Sequence, residues 1–458
     1  MTDVRRDLSL LILLVVAAAL GFGLEAATES ARSARPPAIG GDRFVERAVY
    51  CPPPQLSDAR SKVAVSVDSE GETLIGVGAT DERVQLDAGH RVEVVAAQGP
   101  LLISGYGENP IASAAQIVGG DDPGAAAGEC ASRASMRWYF AEGSSALGFD
   151  ERFFVHNPFP RDALVRVLLY TPKGELARAN LAEIVVPAGK TEIVRINDFV
   201  RQNRFLGAAV LATRGRVVAW RAMTVESEDR PHGMVMTLGA PALSDVWYLP
   251  EGAIGAGIEE RVSLLNPTDE EAVATVTLAT SEGSIQPPRL VEIPVPPQTL
   301  MPLALADKVT GRDRELGGTS VVVRTSAGVL VAERTVFYET SDLDGVTSEI
   351  GATELARRWV IGPPVIEPVT DAIVLVNPGA DAAIVEIVLQ RREGEAVGPG
   401  ELRSISVPPS GRVKIPIGNW TRGKPLVAYV SSDSPIVAER VASSSADVAA
   451  LLGVPLLD

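Results

Sequence analysis

Few residues in this chain have the types and spacing for chemistry. The histidines are His90, His156 and His232, with no HExxH pattern or Cys/His cluster around them. Neither a zinc site nor a nucleophile–base pair is therefore spelled out. His156 falls on the outward side of its strand, where the other copies of a repeat carry Leu265 and Val376, and it reads as a surface histidine. Asp342-Leu343-Asp344-Gly345 matches part of a calcium loop, but counted as an EF-hand its twelfth position is Gly351, which has no carboxylate. A solvated acidic loop is the preferred reading. There is no G-x-S-x-G and no Walker loop, and Gly252 to Gly257 leads into a strand, so it offers an anion no helix N-terminus. What remains is aromatic: Trp138 and Tyr139 with Phe140, and Trp247 and Tyr248 with Leu249. Such faces suit stacking on sugar rings; core and junction packing is the competing and preferred reading. No nucleophile, base and orienting group come together, so a non-enzymatic chain without metal or cofactor is expected.

The elements that would position these residues are repeated. Trp138, Trp247 and Trp359 each open a unit, and Asn157-Pro158, Asn266-Pro267 and Asn377-Pro378 follow at 19, 19 and 18 residues. Gly174, Gly283 and Gly394 lie 17 residues after each Asn. Periods of 109 and 112 residues separate the tryptophans, too long for a solenoid unit and long enough for each copy to bury a core. Inside a unit the apolar residues alternate, as in Val165, Val167 and Leu169 or Val385, Ile387 and Leu389, which predicts strands with one wet face. Proline lacks an N–H for the ladder, so Asn-Pro ends a strand. Seven or eight short strands per unit predict an Ig-like β-sandwich.

A fourth, divergent copy comes first. Val427 to Val437 aligns without gaps on Val92 to Leu102, and units close on Val118-Gly119, Leu238-Gly239, Ile350-Gly351 and Leu452-Gly453. The expected organisation is all-β, with Ig-like domains at 46–133, 134–243, 244–355 and 356–458. Eight-residue spacings from Gly239 to Trp247 and from Gly351 to Trp359 predict a semi-rigid rod, and the longer stretch from Gly119 to Trp138, almost all small residues at Gly124 to Gly128, predicts a hinge.

Ahead of the repeats, residues 1–7 carry Arg5 and Arg6, and Leu8 to Leu24 is an uncharged apolar run. Such a run suits a thin transmembrane anchor or a signal-peptide core; the poor cleavage sites around Ala26 favour the anchor, and the arginines keep the N-terminus inside. Residues 25–45 read as a flexible stalk. The bulk would then be extracytoplasmic, with the membrane, envelope proteins or glycans as partners. A formal charge of −16 without any basic run argues against nucleic acid. Cys51 and Cys130, the only cysteines, flank the first unit and are expected to pair.

Arg221, Arg334 and Arg440 occupy equivalent places in the units that also carry the Trp, whereas the first unit has Gly105 there and no Trp. A guanidinium packed over the indole is the expectation, with Glu333 and Glu439 outside the required set because Trp220 takes that place in the second unit. The Trp-Tyr-Phe-Ala-Glu-Gly opening, the Asn-Pro strand end, the Ala-Glu-Arg hairpin and Cys51-Pro52 resemble a family of secreted, membrane-anchored actinobacterial proteins catalogued as domain of unknown function 5719. The likeness runs from about residue 46 to the C-terminus. The fourth unit departs from it, since Trp359-Val360-Ile361-Gly362-Pro363-Pro364 keeps only the Trp. That resemblance implies an envelope location and a non-enzymatic role, and no catalytic residue.

Overall fold

The computed structural model describes residues 46–53, 61–68, 73–77, 83–86, 92–96, 101–106, 111–118, 124–226, 231–311, 316–341, 343–364, 368–390, 396–397, 400–421, 426–444 and 447–456. The expected anchor and stalk at 1–45, and His90 and Asp342, lie outside the described residues. Among the described residues no helix is long and apolar enough to cross a membrane.

The chain is all-β, and each repeat lays down two antiparallel sheets. In repeat two the Trp strand, Arg137–Phe140, pairs with Gly207–Arg214, which pairs with Ala163–Thr171 and through it with Gly174–Leu176. The second sheet runs Thr191–Arg195, Phe149–His156, Val218–Val225 and Gly233–Leu238. Repeat three keeps this order, and in repeat four the 17-residue strand Val427–Ser443 serves both sheets.

The last strand of each second sheet is axial. These strands are Gly124–Glu129, Gly233–Leu238, Asp344–Ile350 and Val448–Leu452. The first packs on the second, the second on the third, the third on the fourth, and the fourth returns to the first. The repeats therefore close into a propeller-like ring, and the expected rod is overturned. The reason is burial on both faces: Gly233–Leu238 and Val448–Leu452 are buried at nearly every residue rather than at alternate ones. A rod would leave one face of each in water. The expected hinge is overturned with it, because Gly124–Glu129 is the first axial strand. Its residues are small because the axis is narrow. A Cβ on Gly124 would sit 2.8 Å from the Met234 sulfur. Ala125 and Ala127 join the core of repeat four, while Ala126 joins that of repeat two.

Strand pairing also corrects the alignment of the first copy. Leu101–Tyr106 pairs with Glu46–Cys51 as Gly207–Arg214 pairs with the Trp strand, and Ile111–Val118 pairs with the axial strand. Arg221, Arg334 and Arg440 stand opposite Thr237, Glu349 and Leu451, and the matching pair in repeat one is Ala114 and Gly128. Ala114, not Gly105, holds the Arg position. The gap-free match of 92–102 to 427–437 misplaces a hairpin, because alternating apolar strands resemble one another whichever sheet they enter.

The corrected register explains the cysteines. Tyr50, Tyr139 and Tyr248 bridge to Ala131, Ala240 and Ala352, so Cys51 corresponds to Phe140 and Leu249, and Cys130 to Gly239 and Gly351. At Gly239 a Cβ would lie 2.7 Å from Phe140 Cζ, and at Gly351 3.1 Å from Leu249 Cδ2. The side chain that rests on a glycine in the later repeats becomes a covalent bond in the first. Cys51 and Cys130 are joined as expected, with their Cα atoms 4.2 Å apart. Transplanting the later solution as Cys51→Leu with Cys130→Gly is expected to lose the cross-link's chain-entropy contribution, on the order of 4 kcal/mol. It should still be more stable in urea unfolding than Cys51→Ala with Cys130→Ala, by about 1–2 kcal/mol of retained packing.

Candidate functional site

The repeat asparagines are strand-end clamps. Asn157 donates through Nδ2 to the Arg161 and Val186 carbonyls at 2.8 and 3.0 Å, and its Oδ1 accepts from the Phe159 amide at 3.1 Å. Asn266 donates to Glu270 and Val295, and Asn377 to Asp381 and Val407, in the same way. Each satisfies buried carbonyls that a proline-ended strand leaves open.

The tryptophans are interior struts. Trp138 and Trp247 donate their indole N–H to the Val217 and Leu330 carbonyls at 2.7 and 3.0 Å, and Trp359 to that of Ile436 at 3.1 Å. Trp138, Tyr139, Trp247 and Tyr248 are 1, 6, 2 and 4 % exposed, so no ring face is offered to a sugar and the glycan platform is overturned. Period-two alternation puts Trp138 and Phe140 in the core of their own repeat, while Tyr139 packs into the core of repeat three.

The arginines do not stack on the indoles as expected. The guanidinium–ring contacts among the described residues include Arg261 with Phe205 and Phe337 and Arg324 with Tyr248. Arg221 instead reaches into the next repeat, 2.7 Å from Glu333 Oε1, and donates to the Ser348 hydroxyl at 2.9 Å. Glu333 Oε2 accepts the Ala141 and Glu142 amides at 2.8 and 2.9 Å. One repeat on, Arg334 stands 3.1 Å from Glu439, whose other oxygen accepts the Glu251 amide at 2.9 Å. The Glu beside each Arg thus serves the Arg of the preceding repeat. Trp220 replaces it where the preceding repeat has Ala114, and donates its indole N–H to the Glu129 carbonyl. Arg440 turns back to Asp371 of its own repeat, at 2.8 and 2.5 Å.

The Glu of the opening hexapeptide crosses the same boundaries. Glu142 pairs with Arg261 at 2.5 Å and accepts from Ser263 at 2.6 Å. Glu251 meets Lys414 at 2.7 Å and Arg412 at 3.2 Å. The fourth repeat has Pro363 at that place.

All four repeats meet at Asp447. Its Oδ2 accepts the amides of Ala125 at 3.3 Å and Met234 at 2.6 Å; its Oδ1 accepts those of Val346 at 2.9 Å and Val448 at 2.7 Å. The equivalent positions in the other repeats are Gly124, Gly233 and Gly345. A Cβ on Gly233 would lie 2.7 Å from the Asp447 oxygens, and one on Gly345 would strike them. Gly233 and Gly345 make room for the carboxylate, while a Cβ on Gly124 would meet the Met234 side chain instead. Asp344 opens the third axial strand with its side chain exposed, in keeping with the solvated acidic reading of that segment.

His156 is another correction. It is buried, bonded through Nδ1 to Thr191 Oγ1 at 3.1 Å and tilted against the Tyr50 ring of repeat one. Burial pushes its pKa down to about 4, against a hydrogen bond with the Lys190 backbone. His232 is exposed.

Among the described residues eight buried carboxyls face five buried guanidinia, so the interior is short of positive charge. Burial raises Glu151 to about 8 against Arg221, and Glu260 to about 7 against Arg334. Burial and then Glu439 raise Glu129 to about 7. Burial pulls Glu251 up too, but Lys414 and Arg412 overcome it and hold that carboxyl below its ordinary value. For Glu129, Glu151 and Glu260 the folded state holds protons that the unfolded chain has released. Their stabilisation is complete below the unfolded value near 4.5, falls as pH rises, and is gone once pH has passed 7 to 8. Melting scans are expected to give a Tm at pH 5 several degrees above that at pH 8.5; a higher Tm at pH 8.5 would contradict this account.

Chemically, this arrangement joins repeats. Among the described residues no group of three or more His, Cys, Asp or Glu side chains is placed to hold a metal ion. A family model described as "Family of unknown function (DUF5719)" matches residues 88–311 and 239–450, together most of the chain. No curated protein matches. Among solved structures, an α-L-rhamnosidase from Streptomyces avermitilis complexed with L-rhamnose is similar at 10 % identity over 83 % of this chain and 54 % of that one, with a TM-score of 0.14. The chain thus spans about half of that enzyme's length, and a likeness so low carries no argument.

Proposed function

Since the chain belongs to this family of unknown function, whose description assigns no activity, we propose that it is a non-enzymatic structural or interaction protein of the cell envelope. In this reading a closed ring of Ig-like repeats is held outside the membrane by the N-terminal apolar segment. One observation carries it: the buried ionic side chains Arg221, Glu333, Glu142, Arg261, Glu251, Arg412, Arg334 and Glu439 are spent on ties between successive repeats. A molecule that invests its interior charge in holding modules at fixed angles suits presenting a rigid outer surface.

The test is photo-cross-linking in intact cells, with the reactive side chain at the exposed positions Leu147, Ile193 and Val369 of the full chain. One envelope protein recovered reproducibly from at least one position supports the proposal. Fractionation of the chain to the cytoplasm, or no protein adduct at any position, would overturn it.

A further inference from the structure

The seam between repeats three and four holds donors that meet no acceptor. Among the described residues six buried side-chain atoms have no hydrogen-bond partner, and four of them gather here: Arg334 Nε and Nη1, Arg412 Nε and Glu260 Oε1. Arg334, Arg412 and Glu260 are 1, 3 and 2 % exposed, so bulk water does not serve these atoms. At the preceding seam Arg221 leaves only Nε unpaired, because its Nη1 donates to the Glu142 carbonyl.

Fixed contacts bring the three side chains to one place. Thr319 donates its amide to the Gly252 carbonyl at 2.8 Å and its hydroxyl to Glu260 Oε2 at 3.1 Å. A Cβ on Gly252 would strike Glu260 Oε1, and one on Gly318 would strike the Arg412 guanidinium, so two glycines clear the space between Glu260 and Arg412. Arg412 Nη2 stands 3.2 Å from Glu251 Oε2, and Tyr338 donates to Glu251 Oε1 at 3.3 Å. The Arg334 charge reaches both Glu251 and Glu260.

The chemistry of the unpaired atoms points to their partner. Burial holds Glu260 protonated below about pH 7. Its Oε2 accepts from Thr319, so the proton sits on Oε1, which becomes a donor beside the unpaired guanidinium N–H groups. The charges agree. Arg334, Arg412 and Lys414 face two carboxylates, Glu251 and Glu439, while burial and then Glu439 keep Glu349 protonated. One positive charge is left over. Water would bring two donors of its own into this setting, whereas an anion brings acceptor capacity and the missing charge together.

We infer that the seam between repeats three and four encloses a site for one small monovalent anion, with chloride as the type, held by Arg334 and Glu260 of repeat three and Arg412 of repeat four. The anion ties the two repeats, so the stiffness of this seam depends on halide. The inference goes beyond the envelope role and stands without it.

Thermal melting of the full chain in sodium chloride against sodium gluconate at equal ionic strength tests it. At pH 6 chloride is expected to raise Tm by about 2 °C over gluconate. Ionisation of Glu260 cancels the leftover charge and removes a donor, so the difference should vanish by pH 8.5. Glu260→Gln keeps a neutral donor at either pH, and its chloride effect should persist at pH 8.5. Arg334→Met should cost more in chloride than in gluconate, since only there does it lose the anion. Crystals grown in bromide are expected to show an anomalous peak within hydrogen-bond reach of Arg334 and Arg412. Equal Tm in the two salts at pH 6, or water rather than bromide at that place, would overturn the inference. A chloride effect that ignores pH in the wild type, or that Glu260→Gln loses at pH 8.5, would mark an adventitious ion only and overturn it as well.

Discussion

Asp447→Ala is expected to destabilise the protein by about 3–5 kcal/mol, the largest loss from any single truncation at the axis. The carboxylate accepts four backbone amides, one from each axial strand. Alanine leaves all four without their acceptor, and each buried unsatisfied donor costs about 1–3 kcal/mol before relaxation. Water entering the vacated space returns part of this, which keeps the total below the simple sum. Burial drives the Asp447 pKa well above its ordinary value and the converging amides pull it back, so replacing the side chain also relieves a desolvation cost. Asp447→Asn should fall between the wild type and Asp447→Ala, because its carbonyl keeps one acceptor while its NH2 points donors at donors. Urea unfolding of the three proteins decides: losses under about 1 kcal/mol for both variants would mean that the axis is held by apolar packing alone.

Much of the architecture was legible because its signals are local. Alternation at Val165, Val167 and Leu169 marks a strand whatever it packs on, and Asn157-Pro158 ends one through the chemistry of those two residues. The cysteine pair was legible from its position at the two ends of the first unit. Ring closure was not, although its mark stood in the chain: Gly233–Leu238, apolar but for Thr237, and the apolar run Val448–Leu452 have no polar alternation, and this belongs to strands covered on both faces. Gly124–Glu129 was misread for a related reason, since small residues serve a flexible linker and a tightly packed strand alike. Pairing Arg with Trp was a wrong inference from a correct co-occurrence. Both features are missing from repeat one, but their partners lie in different places: the indole's within its repeat, the guanidinium's in the next. The useful offset was between repeats, with Glu333 and Glu439 following the Arg of the copy before.

That offset makes a second large effect predictable. Arg221→Met should cost about 3–5 kcal/mol, since it strands Glu333 fully buried with its charge uncompensated. Glu333→Leu should cost at least as much, because Glu333 holds the Ala141 and Glu142 amides and the Ser348 hydroxyl besides Arg221. The double variant should lose far less than the two losses added, with a coupling energy of about 2–3 kcal/mol. Recovery will be incomplete, for those amides and Ser348 stay without their acceptor even when both charges are gone. Arg334 and Glu439 form the matching cycle at the next seam, with one difference: Arg334 Nε and Nη1 have no hydrogen-bond partner while buried. Its removal therefore relieves a cost that Arg221 does not carry to the same extent, and Arg334→Met should be milder than Arg221→Met. Additive losses at Arg221 and Glu333 would show that the seam is held by packing and that the forward-reaching Glu is incidental. Strong coupling there, together with independence between the two seams, would establish that each repeat is locked to its neighbour by its own pair, and that the ring gains its rigidity one boundary at a time.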